Sequence, residues 1–302
     1  MPQRRIFQTW WPLAASWLLM AAEGPALSAI VARLAEPEIN LAAYGGVVFP
    51  LALIIESPII MLLAASTTLS KDWASYLKIH RFMMIAGASL TCLHILVIFT
   101  PLYRLIVEGV LGVPQQIVEP GRIGLMIMTP WTWSIAYRRF HQGVLIRFGH
   151  SRTVSIGTAI RLIADGIVLA AGYLIGSIPG IAVAASATVA GVLSEAIYAG
   201  IVVQPVLKNQ LWVAPPVKET LTLRSFLAFY VPLVMTSLLG LLAQPIGSAG
   251  ISRMPEALTS LAVWPVLTGL IFMTRSLGMA YNEVVVTLLD QTGSSVPLRR
   301  FA

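Results

Sequence analysis

Apolar runs long enough to cross a bilayer recur along the whole of this 302-residue chain, and nothing else in it narrows the fold so far. They lie at about 10–34, 41–68, 82–107, 122–144, 154–175, 180–204, 225–250 and 257–286. About 20 apolar residues in a helix span a hydrocarbon core of roughly 30 Å. Inside lipid every backbone amide must find its partner within the segment, so these runs should be helices. The alternating apolar and polar segments of an outer-membrane barrel are absent. Charged residues make up 11% of the chain, against about 25% in a soluble domain. The fold class expected is all-α, a polytopic membrane helix bundle of about eight transmembrane helices.

The formal charge of +7 raises the question of nucleic acid, but its distribution speaks against that partner. Arg4, Arg5, Lys71, Lys78, Arg81, Arg138, Arg139, Arg147, Arg152, Lys208, Lys218, Arg224, Arg299 and Arg300 gather at one set of span ends. Only Arg33, Arg104, Arg122 and Arg253 occupy the other. The positive-inside rule then puts both termini in the cytoplasm, and an even number of spans demands the same. The N-terminus resembles a signal peptide, but Glu23 interrupts its apolar run and further spans follow, so it reads as a retained first helix. A lone Cys92 within an apolar run provides no disulfide framework. The longest connection, QPVLKNQLWVAPPVKETLTLR from Gln204, with Pro215 and Pro216, reads as a cytoplasmic linker.

The chain also repeats. A shift of 220 residues lays Pro12 on Pro232, Pro25 on Pro245, Ser28-Ala29 on Ser248-Ala249 and Arg33 on Arg253. In the next spans a shift of 215 lays Ala42 on Ala257, Val48 on Val263 and Pro50 on Pro265. Six spans separate the two starts, so the repeats share one orientation, the parallel kind of transporter duplication. Three segments follow: a six-helix lobe over 1–205, a linker over 206–223, and over 224–302 two helices of a second lobe with a short tail.

The Trp11-Pro12-Leu13 opening, the prolines of spans one and two, RRFHQGVLIRFGHSRTV from Arg138 and GIAVAASATVAGVLSEAIYAGIVV from Gly180 together resemble the multidrug and toxic compound extrusion proteins and their superfamily of exporters and lipid-linked oligosaccharide flippases. The wording looks closest to the progressive-ankylosis branch. That resemblance implies twelve helices in two six-helix lobes around a central cavity. Here the first lobe looks complete and the second stops after two helices. Either the chain is a truncated gene product, the reading favoured by the sequence, or a separate chain supplies the missing helices.

Ionisable residues at membrane depth cost about 2.5–3.5 kcal/mol on insertion scales, so each needs a reason. Glu23 sits mid-span beside Pro25, and Glu56 beside Pro58, each as carboxylate, one residue, proline. Both suit a proton or cation site, and the competing reading is structural: Glu23 bonded to a neighbouring helix, Glu56 paired with Arg161 or Arg275. Asp165 stands four residues from Arg161, on one helix face, which equally suits an internal ion pair. Some of the proteins the chain resembles carry a proton site on helices one and five, so the resemblance implies Glu23 and Asp165 as the coupling pair. Arg275 is placed to meet a substrate or balance a carboxylate; Glu195 and Glu283, nearer the cytoplasmic ends, suit gating or charge pairing. Pro25, Pro50, Pro58, Pro245 and Pro265 should bend their helices. His80, His94, His141 and His150 form no metal-ligand pattern. There is no Walker A loop, GxGxxG or GxSxG, so ATP-driven pumping and the matching enzyme classes lack support, and no cofactor is called for beyond H⁺ or Na⁺ as coupling ion.

The leading expectation is therefore not an enzyme but a secondary active exporter in the inner membrane, carrying drugs or small organic solutes against H⁺ or Na⁺ by alternating access between two lobes. The first alternative is a flippase or exporter of an anionic lipid-linked sugar or small polyanion. The excess of acids (Glu23, Glu56, Asp165, Glu195) over Arg161 in the first-lobe spans weighs against it. The other is a non-functional truncated membrane protein. The orientation is directly testable: alkaline phosphatase fused after Gln115 should be active and after Phe148 inactive, and the opposite pattern would invert the topology.

Overall fold

A computed structural model describes residues 3–217, 220–288 and 295–301, and they are helical, with no strand among the described residues. The helices are α1 (Gln3–Ala21), α2 (Glu23–Val31), α3 (Pro37–Ala43), α4 (Phe49–Ile60), α5 (Leu62–Leu69), α6 (Trp73–Phe99), α7 (Leu102–Arg104), α8 (Val118–Ile127), α9 (Thr129–Arg147), α10 (Ser151–Ile175), α11 (Gly180–Val206), α12 (Leu223–Leu241), α13 (Ala243–Ile251), α14 (Ala257–Leu288) and α15 (Ser295–Phe301). Among the described residues seven stretches are long and apolar enough to cross a membrane: Gln3–Val31, Pro37–Leu69, Trp73–Phe99, Ser151–Ile175, Gly180–Leu211, Leu223–Ile251 and Ala257–Tyr281. The eighth expected span, 122–144, is helical too, as α8 and α9, but Arg122, Arg138, Arg139 and His141 make it too polar to count among them. A segment that polar belongs inside a bundle rather than against lipid, and Trp131, Ile135, Phe140 and Val144 of α9 are all buried.

The spans are assembled from broken helices, and the breaks repeat. The first and seventh spans are each interrupted at one residue, Ala22 and Leu242, and each resumes as a nine-residue helix, Glu23–Val31 and Ala243–Ile251. In both, a proline stands third in the resumed segment: Pro25 and Pro245 have no N–H to give the carbonyl four residues back. The next helices start at Pro37 and Ala257, and the residues before them, Glu36 and Glu256, are the two non-glycine residues with left-handed backbone among the described residues (φ 49° and 54°). Such a conformation is uncommon outside glycine, asparagine and aspartate. Its recurrence 220 residues on therefore marks two copies of one unit. It also keeps the spacing at 220 in the second pair of spans, where residue identities alone suggest 215. The five prolines do not act alike. Pro58 lies three residues before the break at Met61, and the Ile54 carbonyl it leaves without an amide accepts from the Ser57 hydroxyl at 2.9 Å. Pro50 opens α4 just after a π-helix over Tyr44–Val48, while Pro265 stands inside an uninterrupted α14.

The contacts form two compact units, Met1–Ala29 with Pro265–Ala302, and Ile30–Trp264. These lines differ from the 1–205, 206–223 and 224–302 division drawn from the repeat. In the first unit Ile6, Val284 and Leu298 form a small core with Trp10, Leu13, Tyr281, Val285 and Phe301 packed around it. The Trp10 indole donates to the Leu277 carbonyl at 3.2 Å. A Cβ on Gly269 would stand 3.0 Å from the Pro25 ring, so glycine lets α14 cross α2 at close range.

In the second unit α9 is central, packed on α4, α5, α6, α10 and α11. Its contact with α5 is tight because Gly143 has no side chain: a Cβ there would stand 2.5 Å from the Leu63 carbonyl oxygen. The Ser66 hydroxyl donates to the Phe140 carbonyl (2.8 Å), and Arg147 to that of Thr67 (2.9 Å). His94 is fully buried with Thr132 and the Leu125 carbonyl each 3.1 Å from its ring nitrogens, a bonded structural histidine. At one end of this unit Asn40 donates to the Ala35 and Glu36 carbonyls and accepts from the amide of Ile181, each at 2.9 Å. Arg253 caps the π-helix over Leu105–Leu111 through the carbonyls of Val110 and Leu111.

At the other end Asp72 starts α6. Its carboxylate accepts from the Ser75 amide at 2.9 Å and, from the linker, the Val217 amide at 3.1 Å. Burial alone would raise its pKa, but the Ser75 hydroxyl and amide and the Val217 amide together hold it below the ordinary carboxylate value of 3.8. A depressed acid stabilises the fold fully above its unfolded pKa, and that contribution disappears as pH falls through the lower folded value. Asp72→Ala should cost about 1 kcal/mol as a lost N-cap. Thermal unfolding should show the gap between variant and parent at neutral pH and a narrower one below about pH 4.

Candidate functional site

Four helices of the second unit, α4, α9, α10 and α11, bring six charged side chains into one buried cluster. On α9, Arg138 and Gln142 stand four residues apart and so share a face. Both point at Glu195 of α11: Arg138 Nη1 pairs with Oε2, and Gln142 Nε2 donates to Oε1 at 2.8 Å. The two charged side chains are 5% and 2% exposed. On α10, Arg161 Nε lies 3.9 Å from Asp165 Oδ2, the same-face pair that a four-residue spacing permits. On α4, Glu56 is 3% exposed, and the guanidinium charges of Arg139, Arg138 and Arg161 act on it. Three cations and three anions balance inside the bundle.

Glycines decide how closely these helices approach. A Cβ on Gly191 would stand 1.8 Å from Asp165 Oδ1, which places the carboxylate directly against the α11 backbone; no other residue fits there. One turn and more along, Gly157 of α10 lies against Glu195 and Tyr198, with a built Cβ 3.3 Å from each. The Gly200 backbone lies against the Tyr137 ring, where a Cβ would meet the hydroxyl at 2.5 Å.

The structure corrects the reading of α9. Arg138 and Arg139 look in the sequence like topology determinants at a cytoplasmic end, but Arg138 is 4% exposed and ion-paired in the interior. Glu195, placed by the sequence near a cytoplasmic end and suited to charge pairing, is the buried partner of Arg138. The signal was present in the polar run RRFHQ inside a span. Arg and Gln four apart share a helix face, and a face that polar in a membrane must point at a partner. Asp165 pairs with Arg161 as its spacing suggests. Glu56 has no contact ion pair with Arg161 or with any other residue among those described.

The remaining candidates lie in the first unit. Glu23 is half-buried and opens α2 after the break at Ala22, where a helix N-terminus favours a negative charge. It and Asp165, the expected coupling pair, belong to different units. Arg275 is exposed on α14. The Glu283 side chain lies outside the described residues.

The Arg138–Glu195 pair is the testable keystone. Removing one member of a buried pair leaves the other charge uncompensated, at about 3–5 kcal/mol. Arg138→Ala should lower the melting temperature of the detergent-solubilised protein sharply, and Arg138→Met with Glu195→Leu should recover most of it. Parental stability in Arg138→Ala would show that the pair contributes nothing.

No family model matches this chain, and no curated protein matches it. Among solved structures the chain is similar to the inward-facing conformation of a multidrug resistance MATE family transporter of the MOP superfamily, with a TM-score of 0.64 at 14% sequence identity. The match covers 92% of this chain and 70% of the other. The chain is a multi-pass membrane protein with a MATE-like fold.

Proposed function

We propose that this chain works as a secondary active exporter of drugs or small organic solutes, driven by H⁺ or Na⁺ moving the opposite way, rather than as an enzyme. The observation that carries the reading is the fold itself, shared over 92% of the chain with a multidrug transporter. The buried carboxylates add to it, since charged groups inside a bundle of membrane helices are costly and mark ion pathways. Glu23, Asp165 and Glu56 are the candidate coupling groups. The ion biases an equilibrium between inward-open and outward-open states, and coupling is the difference in affinity of ion and substrate for the two. The broken helices at Pro25, Pro58 and Pro245 supply places where such a change can bend the chain. Cytoplasmic termini in an inner membrane belong to this proposal, and the lysines and arginines that remain at one set of span ends once Arg138 and Arg139 are set aside support the orientation.

One observation favours a second reading, export of an anionic lipid-linked sugar or small polyanion. The excess of acids that argues against it in the sequence shrinks to one: Arg138 and Arg139 join Arg161 inside the bundle and balance Glu56, Asp165 and Glu195, which leaves Glu23 in the other unit. Anionic substrates are held by arginine forks.

Reconstituted protein should drive a fluorescent organic cation across proteoliposomes under an ion gradient, and Glu23→Gln should reduce that flux to the level of empty liposomes. Full activity in the variant removes Glu23 from the mechanism. Flux of an anionic probe and none of the cation would favour the second reading.

A further inference from the structure

We infer that a groove on the flank of the larger unit holds one acyl chain of an anionic phospholipid, with the headgroup at the Lys208 end. The inference needs only the membrane-spanning fold, not the exporter reading. The groove has a volume of about 760 Å³, lies between α9 and α11, and is open on one side. That volume is in the range of ligand sites. None of the six charged residues of the buried cluster lines it.

Small residues hollow the groove out and aromatic ones floor it. Ala196 and Gly200 stand one turn apart on α11, and Trp133 and Tyr137 one turn apart on α9. The Trp133 ring is held from the far side by Gly87 of α6, where a Cβ would stand 3.4 Å from it. The rim is apolar: Leu193, Ile197 and Ile201 recur every four residues along α11 and are all exposed. Such a stripe on a membrane-spanning helix faces lipid. Water fills a hollow only where each molecule finds about two to four polar partners, and walls of Leu, Ile, Ala and aromatic rings offer too few. Hydrocarbon fits them, and a chain lying in a concave site gains dispersion contacts on several sides at once.

Length and polarity fix how the chain lies. From Leu193 to Gln204 the groove runs about 16 Å at the helical rise. That is about half of a roughly 30 Å hydrocarbon core, the depth of one leaflet. The helices α9 and α11 run in the same direction, since Tyr137 meets Gly200 and, in α8 just before, Gly124 meets Ile181. Tyr137 and Gln204 therefore lie toward one end of the groove, and Trp133 and Leu193 deeper. Past Gln204, Trp212 meets Trp73 of α6 edge to face, with ring centroids 4.8 Å apart. A tryptophan pair belongs at the membrane–water interface, so this end is the headgroup end. Lys208 stands in the π-helix over Leu207–Leu211, seven residues past Ile201, and continues the same stripe. It is exposed, and its ammonium is placed to meet a lipid phosphate. The hollow by itself would accept any acyl chain; the lysine selects a lipid with net negative charge.

The test uses the full chain in phosphatidylcholine vesicles and reads tryptophan fluorescence as phosphatidylglycerol with brominated acyl chains is added. Quenching should contain a part that saturates at low mole fraction, and brominated phosphatidylcholine should give none. The saturable part should be missing from Trp133→Phe, and in Lys208→Gln its midpoint should move to an about fivefold higher mole fraction. Quenching that rises linearly with both lipids, or is unchanged in Trp133→Phe, overturns the site. A midpoint unmoved in Lys208→Gln overturns the headgroup assignment. Saturable quenching that tetraphenylphosphonium relieves gives the groove to an organic solute and overturns the lipid. Native mass spectra of the detergent-released protein provide a reading without the tryptophan. One phosphatidylglycerol should stay bound per chain, and equal retention of phosphatidylcholine overturns the choice of an anionic lipid.

Discussion

The buried pairing of Arg138 with Glu195 is the interaction on which the larger compact unit depends. Two long side chains have been taken out of water and away from lipid, and each is tolerable only because the other is there. Their meeting requires α9 and α11 to pack face to face, with Gln142 completing the carboxylate's partners. Gly157 and Gly191 then let α10 approach, and α10 brings Arg161 and Asp165. The result is a bundle interior that is polar by construction, and a fourth transmembrane segment too polar to face lipid can exist only because this interior receives it.

The broken helices express a second constraint, which is that backbone groups in a membrane have few substitutes when a proline removes a donor. The chain answers locally: the Ser57 hydroxyl takes the Ile54 carbonyl, and the Tyr230 hydroxyl takes that of Pro58. A break also recurs in the first and seventh spans, at Ala22 and Leu242, each followed by a nine-residue helix with proline third and then by a left-handed glutamate. Substituting most residues of a repeat while keeping its breaks is what a duplicated membrane unit requires, since the breaks set its shape and the lipid-facing residues need only be apolar.

The two units differ in what holds them. The smaller, around Ile6, Val284 and Leu298, is an apolar cluster with aromatic edges and one indole bond to a carbonyl. The larger carries the charge network, the bonded histidine and the capped loop ends. Glu23 belongs to the first and Glu56, Asp165 and Glu195 to the second, so the mid-span acids divide between the two units.

The sequence by itself determined the class of fold, because apolar runs of membrane length leave helices as the only way to satisfy the backbone. It also showed the repeat through matched prolines, and the Arg161–Asp165 pair through a four-residue spacing that any helix converts into contact. Only the tertiary structure decided the rest. Whether an arginine near a span end faces the cytoplasm or a carboxylate two helices further along the chain depends on rotation and packing, which hydropathy does not encode, so Arg138 and Glu195 read as end residues although α9 lies inside the bundle. Likewise Glu56 and Asp165 are both mid-span acids in the sequence. What separates them is that one has a guanidinium on its own helix face and the other does not.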